Sequence, residues 1–398
     1  MKPTPLPPRT GWQRLRRYWR ACSFIEREVW DRPTRFTHWS LAALLVAALI
    51  TGWFDPSWQL DRHLLIGGMI AGLLLFRLVW GVFGSEYSRF SNFFPTPHAV
   101  REDLSSLMQD RLKLATPGIS PANAMISLLL WLVLFGLMLT GLIAYGGEEH
   151  LGPFAALISF TTGEAAQRVH ALLSVVLIAL VGIHYWIVDR ESRLTRIPLL
   201  RGMITGCKPL DPDLPQDGGR SAHASWAMLL GMLLMFGIDH ASKSLGQLPM
   251  DGWRQLHYPT IYQGRCGSCH WTIHPSLMPE ERWRELLHHL GNHFGQRITL
   301  TTQEAITISS FVLVHASEDW DTEAAHRFRK PVDETIKGIS DHPVWRKLHA
   351  QVDQTLFESA PVNKPGNCPV CHHDALSGRF DRHAIHLPLR SADKLAPL

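Results

Sequence analysis

Cysteine and charge are both scarce in this chain of 398 residues. Its six cysteines are too sparse over this length for a disulfide-stapled miniprotein. Charged residues make up 19%, below the roughly 25% of an average soluble protein. The 30 glycines follow no collagen-like repeat, and the apolar content of 46% is too high for a disordered chain. Globular and membrane proteins remain as the possible classes.

The chain is rich instead in histidine, with 22 residues, and in long apolar runs before position 240. A segment that crosses the ~30 Å hydrocarbon core of a bilayer needs roughly 20 apolar positions. Four such runs lie at about 38–54, 63–83, 124–145 and 169–188. A fifth, about 224–238, is at the short limit and is expected to be a span. The alternative is a signal-like apolar segment that tethers or releases the C-terminal part of the chain.

Basic residues predict the orientation of these spans, because cytoplasmic loops carry an excess of Lys and Arg. Segments 1–35, 84–123 and 189–223 hold 19 of them, whereas Arg62 is alone in its loop and 146–165 has none. The N-terminus is therefore expected in the cytoplasm of a bacterium and, with five spans, the C-terminal part in the periplasm. The basic N-terminal residues are interpreted as a cytoplasmic tail and not as a nucleic-acid-binding segment.

Four histidines fall within or at the edges of the spans, where ionisable side chains are costly and usually functional. They are His38, His63, His170 and His184. Since His170 and His184 are 14 positions apart, a helix places them on nearly one face, about 21 Å apart. Depth then pairs His38 with His184 near the cytoplasm, and His63 with His170 near the periplasm. Two bis-imidazole sites in a four-helix bundle suit two b-type haems, although a lone membrane histidine often only packs between helices.

Arg77 is a cation within the second run, toward the cytoplasmic side of it. It is expected to pair with a propionate of the inner haem. The alternative is that its side chain extends to the cytoplasmic surface. Gly67, Gly68, Gly136 and Gly141 offer room for flat macrocycles against the helices, although glycine is common in membrane helices.

These stretches resemble the prokaryotic cytochrome b561 family, which includes the b-type subunits of nickel–iron hydrogenases. The resemblance rests on 29–39 (VWDRPTRFTHW), 63–68 (HLLIGG), 76–81 (FRLVWG) and 182–186 (GIHYW). It covers about residues 28–200. It implies two haems b, ligated by the four histidines, and electron exchange with the quinone pool.

The C-terminal half contains two C-x-x-C-H motifs, the signature of covalent c-type haem attachment. Two thiols bond the porphyrin vinyl groups, and the adjacent histidine becomes the proximal iron ligand. The residues are Cys266, Cys269 and His270 in the first motif, and Cys368, Cys371 and His372 in the second. A zinc site would leave the trailing histidines unexplained, and a thioredoxin-like site needs a βαβ pattern. Cys22 and Cys207 are expected to be free cytoplasmic thiols.

Each c-type haem also needs a sixth ligand or an open site. The candidates are His257, His274, His288, His289, His293, His315, His326, His342, His349, His373, His383 and His386. An amphipathic helix is predicted over 280–291, and a second over 302–315 behind a Thr-x-x-Glu cap.

The first motif is followed along the chain by Trp283, by His293-Phe-Gly, and by the second motif with Gly378 and Phe380. This order resembles the pattern of the dihaem cytochrome c family. This resemblance covers roughly 260–390. It implies bis-histidine coordination of both haems, with His293 as one distal ligand and His349 as the other. The resemblance leaves open which of the two haems each of these distal histidines ligates.

We therefore expect an all-α fold, in which a transmembrane four-helix haem bundle and a fifth membrane helix precede a mostly helical dihaem cytochrome c domain. The expected divisions are a cytoplasmic tail (1–35), the membrane bundle (36–200), a cytoplasmic linker (201–223), the fifth helix (224–242) and the periplasmic domain (243–398).

The expected function is electron transfer between the quinone pool and a periplasmic acceptor, through two non-covalent haems b and two covalent haems c. A quinol–cytochrome c type oxidoreductase fits this description. The expected partners are the inner-membrane bilayer, quinone or quinol, and a periplasmic electron carrier or redox enzyme, with no nucleic acid. One alternative is a non-catalytic subunit that wires a periplasmic dehydrogenase or hydrogenase. Another is a haem enzyme with an open iron site, such as a peroxidase or a superoxide-oxidising protein.

Overall fold

The computed structural model describes residues 26–112, 116, 118–209, 252–330 and 338–388, together with ten helical residues between 229 and 245. Backbone contacts divide the chain into two units. The first unit comprises Met1–Ile50, Leu65–Leu139 and His170–Asp239. The second unit comprises Thr51–Leu64, Thr140–Val169 and His240–Leu398, so it joins two connecting segments of the N-terminal half to the C-terminal half.

Helices make up the N-terminal half, as predicted. They are α1 (Arg32–Trp53), α2 (Leu60–Phe83), α3 (Pro97–Met108), α4 (Pro121–Glu148), α5 (Phe160–Thr195) and α6 (Leu199–Thr205). Four of them, α1, α2 with its preceding turn, α4 and α5, are long and apolar enough to cross a membrane, which confirms the four predicted spans. Each extends beyond its apolar run, because polar end residues continue the helical backbone. The fifth predicted span, 224–238, and the linker before it lie largely outside the described residues.

The start of α1 is fixed by the side chain of Asp31. Its Oδ1 accepts a hydrogen bond of 2.8 Å from the backbone N–H of Thr34, which satisfies a donor that the helix itself leaves unpaired. Its Oδ2 accepts bonds from Trp80 Nε1 at 2.9 Å and Ser85 Oγ at 2.5 Å. One carboxylate thus ties the beginning of α1 to the end of α2.

The core of the first unit lies between the long helices. Its buried residues are Ile70, Leu74, Val133, Leu134 and Leu177, from α2, α4 and α5, and Leu41, Leu44, Leu45 and Ala48 of α1 pack against them. Large apolar side chains also cover the outward faces; Leu132, for example, is 66% exposed. Apolar surface on this scale suits a lipid environment better than water.

A two-stranded antiparallel sheet joins β1 (Glu26–Glu28) to β2 (Cys207–Pro209), with Glu28 opposite Cys207. Gly206 precedes β2 with a φ of +90°, a conformation that glycine adopts without strain. Cys207 is disulfide-bonded, with a partner outside the described residues, so the expectation of a free thiol was wrong. The strand pairing explains the error, since it brings the N-terminal segment beside a position that is distant in sequence.

The second unit continues with five short helices separated by turns. They are α7 (Thr260–Cys266), α8 (Glu280–His288), α9 (Thr302–Val314), α10 (Glu323–Phe328) and α11 (Pro343–Leu348). The two predicted helices are confirmed as α8 and α9. The first ends at 288 and not at 291, because a 3-10 turn, Leu290–Asn292, comes after it. The second has the predicted capping box between Thr301 and Glu304.

Two apolar cores hold this unit together, one near each C-x-x-C-H motif. The first core consists of Tyr262, Trp283, Ile308, Val312 and Ala316, with Cys266 packed against it. The second consists of Leu277, Ala324, Phe328, Trp345, Phe357 and Val362, with Trp271, Cys371 and Phe380 packed against it. Because Trp271 directly follows His270, the second core also touches the end of the first motif.

Candidate haem sites

His38 of α1 and His184 of α5 face each other in the first unit, with ring centroids 6.4 Å apart. An imidazole nitrogen lies ~1.1 Å from its ring centroid and binds a metal ion at about 2.0 Å, so two imidazoles on opposite sides of one ion have centroids about 6 Å apart. The observed separation matches that value. The buried Nδ1 atoms of both rings lack a hydrogen-bond partner among the described residues. The pair predicted near the cytoplasm is therefore spatially a pair.

His63 and His170 are each oriented through Nδ1. In the second unit, His63 Nδ1 lies 3.1 Å from Thr51 Oγ1. In the first unit, His170 Nδ1 lies 3.0 Å from the carbonyl oxygen of Leu137. Hydrogen bonds at Nδ1 fix the tautomer and the ring direction of histidines that bind a metal through Nε2. Both side chains thus have the local geometry of haem ligands, and α5 carries His170 and His184 on one continuous helix, as predicted.

Arg77 is buried within the first unit, at 6% exposure, so its side chain does not extend to the surface. Its Nη2 donates a hydrogen bond of 2.9 Å to the carbonyl oxygen of Ser88. The guanidinium lies over the rings of Phe90 and Phe93, 5.0 and 5.6 Å from their centroids. Its Nη1 has no partner among the described residues. A buried guanidinium with an unsatisfied nitrogen fits an anionic oxygen such as a propionate.

Two predicted glycines of α2 border open space. A Cβ added at Gly67 or Gly68 would meet no atom within 4 Å, whereas one at Gly136 would lie 3.1 Å from a methyl group of Leu173. The α2 positions thus suit the close approach of a flat group, and Gly136 suits the packing of α4 against α5.

The first C-x-x-C-H motif brings His270 to 6.4 Å from His293, centroid to centroid. His270 Nδ1 lies 2.7 Å from the carbonyl oxygen of Trp271. His293 is held by a tight turn in which its N–H and C=O both bond Gln296, at 2.8 and 3.0 Å. Partial burial, and then the neighbouring His270, lower the pKa of His293. The ring therefore stays neutral at physiological pH, and the neutral imidazole is the form that binds metals.

The second motif brings His372 to 6.1 Å from His349. His349 stacks on Trp345 at 4.2 Å, and its Nδ1 lies 2.8 Å from that residue's carbonyl oxygen. Burial, and then His349, lower the pKa of His372 to about 4. Both distal candidates thus lie at bis-imidazole spacing from a motif histidine, and the structure answers the question that the sequence left open: His293 lies with the first motif and His349 with the second.

The motif cysteines differ in exposure: Cys269 is exposed, whereas Cys266, Cys368 and Cys371 are half-buried. All four are free of disulfides. Burial raises the pKa of Cys266 to about 11 and that of Cys368 to about 12. The described residues contain no cluster of three or more His, Cys, Asp or Glu that could hold a metal ion by themselves. The zinc alternative therefore lacks a ligand set here.

Several other candidate histidines have different contacts. His274 is fully buried and its Nδ1 accepts a hydrogen bond of 3.2 Å from the N–H of Ser276. His342 Nδ1 accepts from the N–H of Val344 at the start of α11. His326 bonds Asp321 at 2.7 Å, and His373 stacks on His386. These contacts explain them as structural residues.

Sequence reasoning missed a group of charged residues in the second unit. Arg382 binds the carboxylates of Glu148, Glu149 and Glu323. A signal was available, because Glu148 and Glu149 end an apolar helix in a segment without any Lys or Arg. Adjacent acidic residues in such a place need a basic partner from elsewhere in the chain.

Two family models match separate parts of this chain. Residues 29–206 match the family described as prokaryotic cytochrome b561, and residues 262–380 match the family described as dihaem cytochrome c. The chain joins a cytochrome b561 domain to a dihaem cytochrome c domain. This cytochrome b561–dihaem cytochrome c fusion is therefore a multi-pass membrane haem protein of electron transfer, and its two families imply both b-type and c-type haems.

Solved structures match about a third of this chain. A diheme cytochrome c from Rhodobacter sphaeroides is 27% identical, over 32% of this chain and 100% of that one, with a TM-score of 0.28. A diheme cytochrome type c from Shewanella baltica OS155 is 25% identical, over 33% and 95%, with a TM-score of 0.26. No curated protein matches the chain.

Proposed function

We propose that this protein passes electrons from quinol to a periplasmic acceptor through two haems b and two haems c. The observation that carries the proposal is the repeated histidine spacing. Three pairs have ring centroids 6.1 to 6.4 Å apart: His38 with His184, His270 with His293, and His349 with His372. One imidazole on each side of an iron leaves no open position, which favours electron transfer over substrate chemistry at iron.

The fourth pair is proposed to be His63 with His170, which would complete the second b-type site. The support is the b561 family match over both residues and the Nδ1 hydrogen bonds that orient each ring. Arg77 is proposed to pair with a propionate of the inner haem, because its buried guanidinium has an unsatisfied nitrogen. Cys266 and Cys269 would hold one c-type haem, and Cys368 and Cys371 the other.

The residues of this chain supply ligands, insulation and spacing. The haems, when bound, supply one-electron iron couples. The neutral histidines would donate lone pairs, the two apolar cores pack against one cysteine of each motif, and the helices fix the separations. Oxidation of one quinol to quinone releases two protons and two electrons. The two electrons pass one at a time to a periplasmic one-electron acceptor.

Orientation and domain division belong to the same proposal. The excess of Lys and Arg in 1–35, 84–123 and 189–223 supports a cytoplasmic N-terminus in a bacterial inner membrane. With a fifth helix at 224–242, the dihaem domain at 243–398 would lie in the periplasm. Covalent c-type attachment takes place on that side.

The test uses the full-length protein in lipid nanodiscs. Pyridine haemochrome spectra are expected to give equal amounts of haem b and haem c, and a short-chain quinol is expected to reduce both types. Detection of c-type bands alone, or quinol reduction of none of the haems that dithionite reduces, would overturn the proposal. Carbon monoxide binding to the reduced wild type would favour an open-site haem enzyme. A co-purifying dehydrogenase without quinol turnover by the isolated chain would favour a wiring subunit.

A further inference from the structure

An ion cluster in the second unit joins segment 140–169 to the C-terminal half. Its members Glu148 and Glu149 are buried, and Glu323 and Arg382 are half-buried. Arg382 Nη1 lies 2.7 Å from Glu148 Oε2 and 2.8 Å from Glu149 Oε1, and its Nη2 lies 3.0 Å from Glu323 Oε2. The backbone N–H of Arg382 donates to Glu149 Oε2 at 2.8 Å. Glu149 is 1% exposed. Removing one partner of such a cluster leaves buried charge uncompensated, so the cluster holds its members in one arrangement.

Further contacts hold the same segments together. The N–H of Phe160 donates to Asp321 Oδ2 at 2.9 Å, and Arg327 Nη1 lies 2.8 Å from Glu164 Oε1. Arg379 Nη2 donates to the carbonyl oxygen of Glu149 at 2.8 Å. Segment 140–169 is therefore held at several points. Its partners lie on α10, in the residues just before α10, and in the segment after the second motif.

The connecting segment that contains His63 reaches the same place. The 3-10 turn Ser57–Gln59, four residues before His63, contacts the 3-10 turn Arg382–Ala384. His63 is a proposed ligand of the outer haem b. One short turn of the C-terminal half is thus in contact with the chain that leads to this ligand.

The turn Arg382–Ala384 is also bound to the second C-x-x-C-H motif. The carbonyl oxygen of Ala384 accepts from the N–H of His373 at 3.2 Å, and the N–H of His386 donates to the carbonyl oxygen of Cys371 at 2.8 Å. A β-bridge joins His372 to Ile385. The chain segment at Arg382–Ala384 therefore contacts both the second motif and the segment before His63.

The first motif is linked to the second by aromatic residues. Trp271, the residue after His270, donates from Nε1 to the carbonyl oxygen of Gly366 at 2.8 Å. Its ring lies 6.4 Å from that of Phe380, which lies 5.2 Å from His372. Away from this contact the first motif is exposed: Cys269 is an exposed residue, and Phe294, beside His293, is 63% exposed.

We propose that electrons enter the dihaem domain at the second motif (Cys368–His372) and leave from the first (Cys266–His270), and that Arg382 is the positioning residue for the step from the membrane domain. This order rests on the proposed function. The second motif would hold the haem c that takes each electron singly from the outer b-type site, and the first motif would hold the haem c that passes it to a periplasmic one-electron acceptor protein. Two such transfers balance the oxidation of one quinol.

The order is tested with two matched double variants of the full-length protein, each of which removes one attachment site. In Cys266→Ser/Cys269→Ser, a short-chain quinol is expected to reduce the remaining haem c at the wild-type rate. In Cys368→Ser/Cys371→Ser, quinol-driven reduction of the remaining haem c is expected to slow by about tenfold or more, since distant partners react slowly. Dithionite should reduce the remaining haem c in both, which shows that it is present and folded. The reverse pattern, or equal rates, would overturn the order.

The positioning role is tested with single variants that keep all four haems. In Arg382→Gln, the backbone amides of Phe160 and Arg382 are expected to lose protection from hydrogen exchange, and quinol-driven reduction of haem c to slow. Reduction by a small soluble dye should stay unchanged, and Arg382→Lys should partly restore the quinol-driven rate. Arg265→Gln, which breaks an ion pair with Glu304 beside the first motif, is the control. An unchanged quinol-driven rate despite lost protection would overturn the role of Arg382.

The two proposals fail in different ways. If quinol reduces no haem c in the wild type, the proposed function is wrong. If quinol reduces both haems c in the wild type, and loss of the first motif is what blocks reduction of the other, only the order of the two motifs is wrong.

Discussion

The imidazole rings of His349 and His372 lie 6.1 Å apart, centroid to centroid. His372 belongs to an attachment motif, whereas His349 follows the short helix α11 and has no motif of its own. Its position is set by stacking on Trp345 and by the hydrogen bond from its Nδ1 to that residue's backbone. The proposed distal ligand is thus held in place by a tryptophan and a helix end.

The first prediction concerns this distal position. His349→Ala removes one imidazole and is expected to convert one haem c to a high-spin form that binds carbon monoxide when reduced. The measurement is the carbon monoxide difference spectrum of the reduced protein. The exposed His288→Ala serves as the control and is expected to resemble the wild type. A fully low-spin spectrum of His349→Ala, without carbon monoxide binding, would refute the assignment.

The second prediction concerns the inner pair in the membrane domain. His184→Ala leaves His38 without its partner at 6.4 Å. The variant is expected to lose about half of the haem b and to keep all of the haem c, because ligation in the two parts of the chain is independent. The ratio of haem b to haem c in pyridine haemochrome spectra measures this loss. The exposed His98→Ala should keep the full ratio, and full haem b in His184→Ala would contradict the site.

The third prediction concerns pH. His274 is fully buried beside Tyr258 and Trp320. Burial, and then the nearby His315, lower its pKa from the ordinary 6.5 to about 3. Below pH 6.5 the unfolded chain therefore binds a proton at His274, whereas the folded chain binds it only near pH 3. Stability should be complete above pH 6.5 and fall by up to about 1.4 kcal/mol per pH unit between pH 6.5 and 3.

Thermal unfolding, followed at several pH values by circular dichroism, checks this expectation. His274→Asn is expected to be less stable at pH 7 and to have a flatter acid limb, because it no longer carries the titrating ring. His288→Asn, at an exposed position, should keep the wild-type profile. If His274→Asn lost stability between pH 6.5 and 3 as steeply as the wild type does, the acid sensitivity would belong to other groups.

The fourth prediction concerns the start of α9. Thr301 and Glu304 form a reciprocal capping box, with Thr301 Oγ1 accepting from the Glu304 N–H at 3.3 Å. Thr301→Ala should lower the free energy of unfolding by about 0.5–2 kcal/mol. Denaturant unfolding measures this change, and Ser310→Ala at an exposed position of the same helix is the control. Equal stabilities of the two variants would show that the cap contributes nothing.

Much of the fold was predictable because its signals are local. The length of the apolar runs predicts α1, α2, α4 and α5, since a bilayer imposes a minimum length on a span. The Thr-x-x-Glu pattern predicts the start of α9, because capping involves neighbouring residues alone. The end of α8 was placed too late, since amphipathic spacing does not reveal where a 3-10 turn replaces the helix. The disulfide of Cys207 was missed because the spacing of cysteines along the chain does not reveal which of them folding brings within bonding distance.

The sequence by itself determined the candidate ligand residues: two C-x-x-C-H motifs and four histidines in apolar runs, because covalent attachment and membrane insertion depend on spacing along the chain. Only the tertiary structure decided which distal histidine belongs to which motif and which motif lies beside the segment before His63. Those relationships join positions up to 234 residues apart, as in the contact of Glu148 with Arg382. They arise from packing and from the pairing of buried charges, which spacing along the chain does not specify.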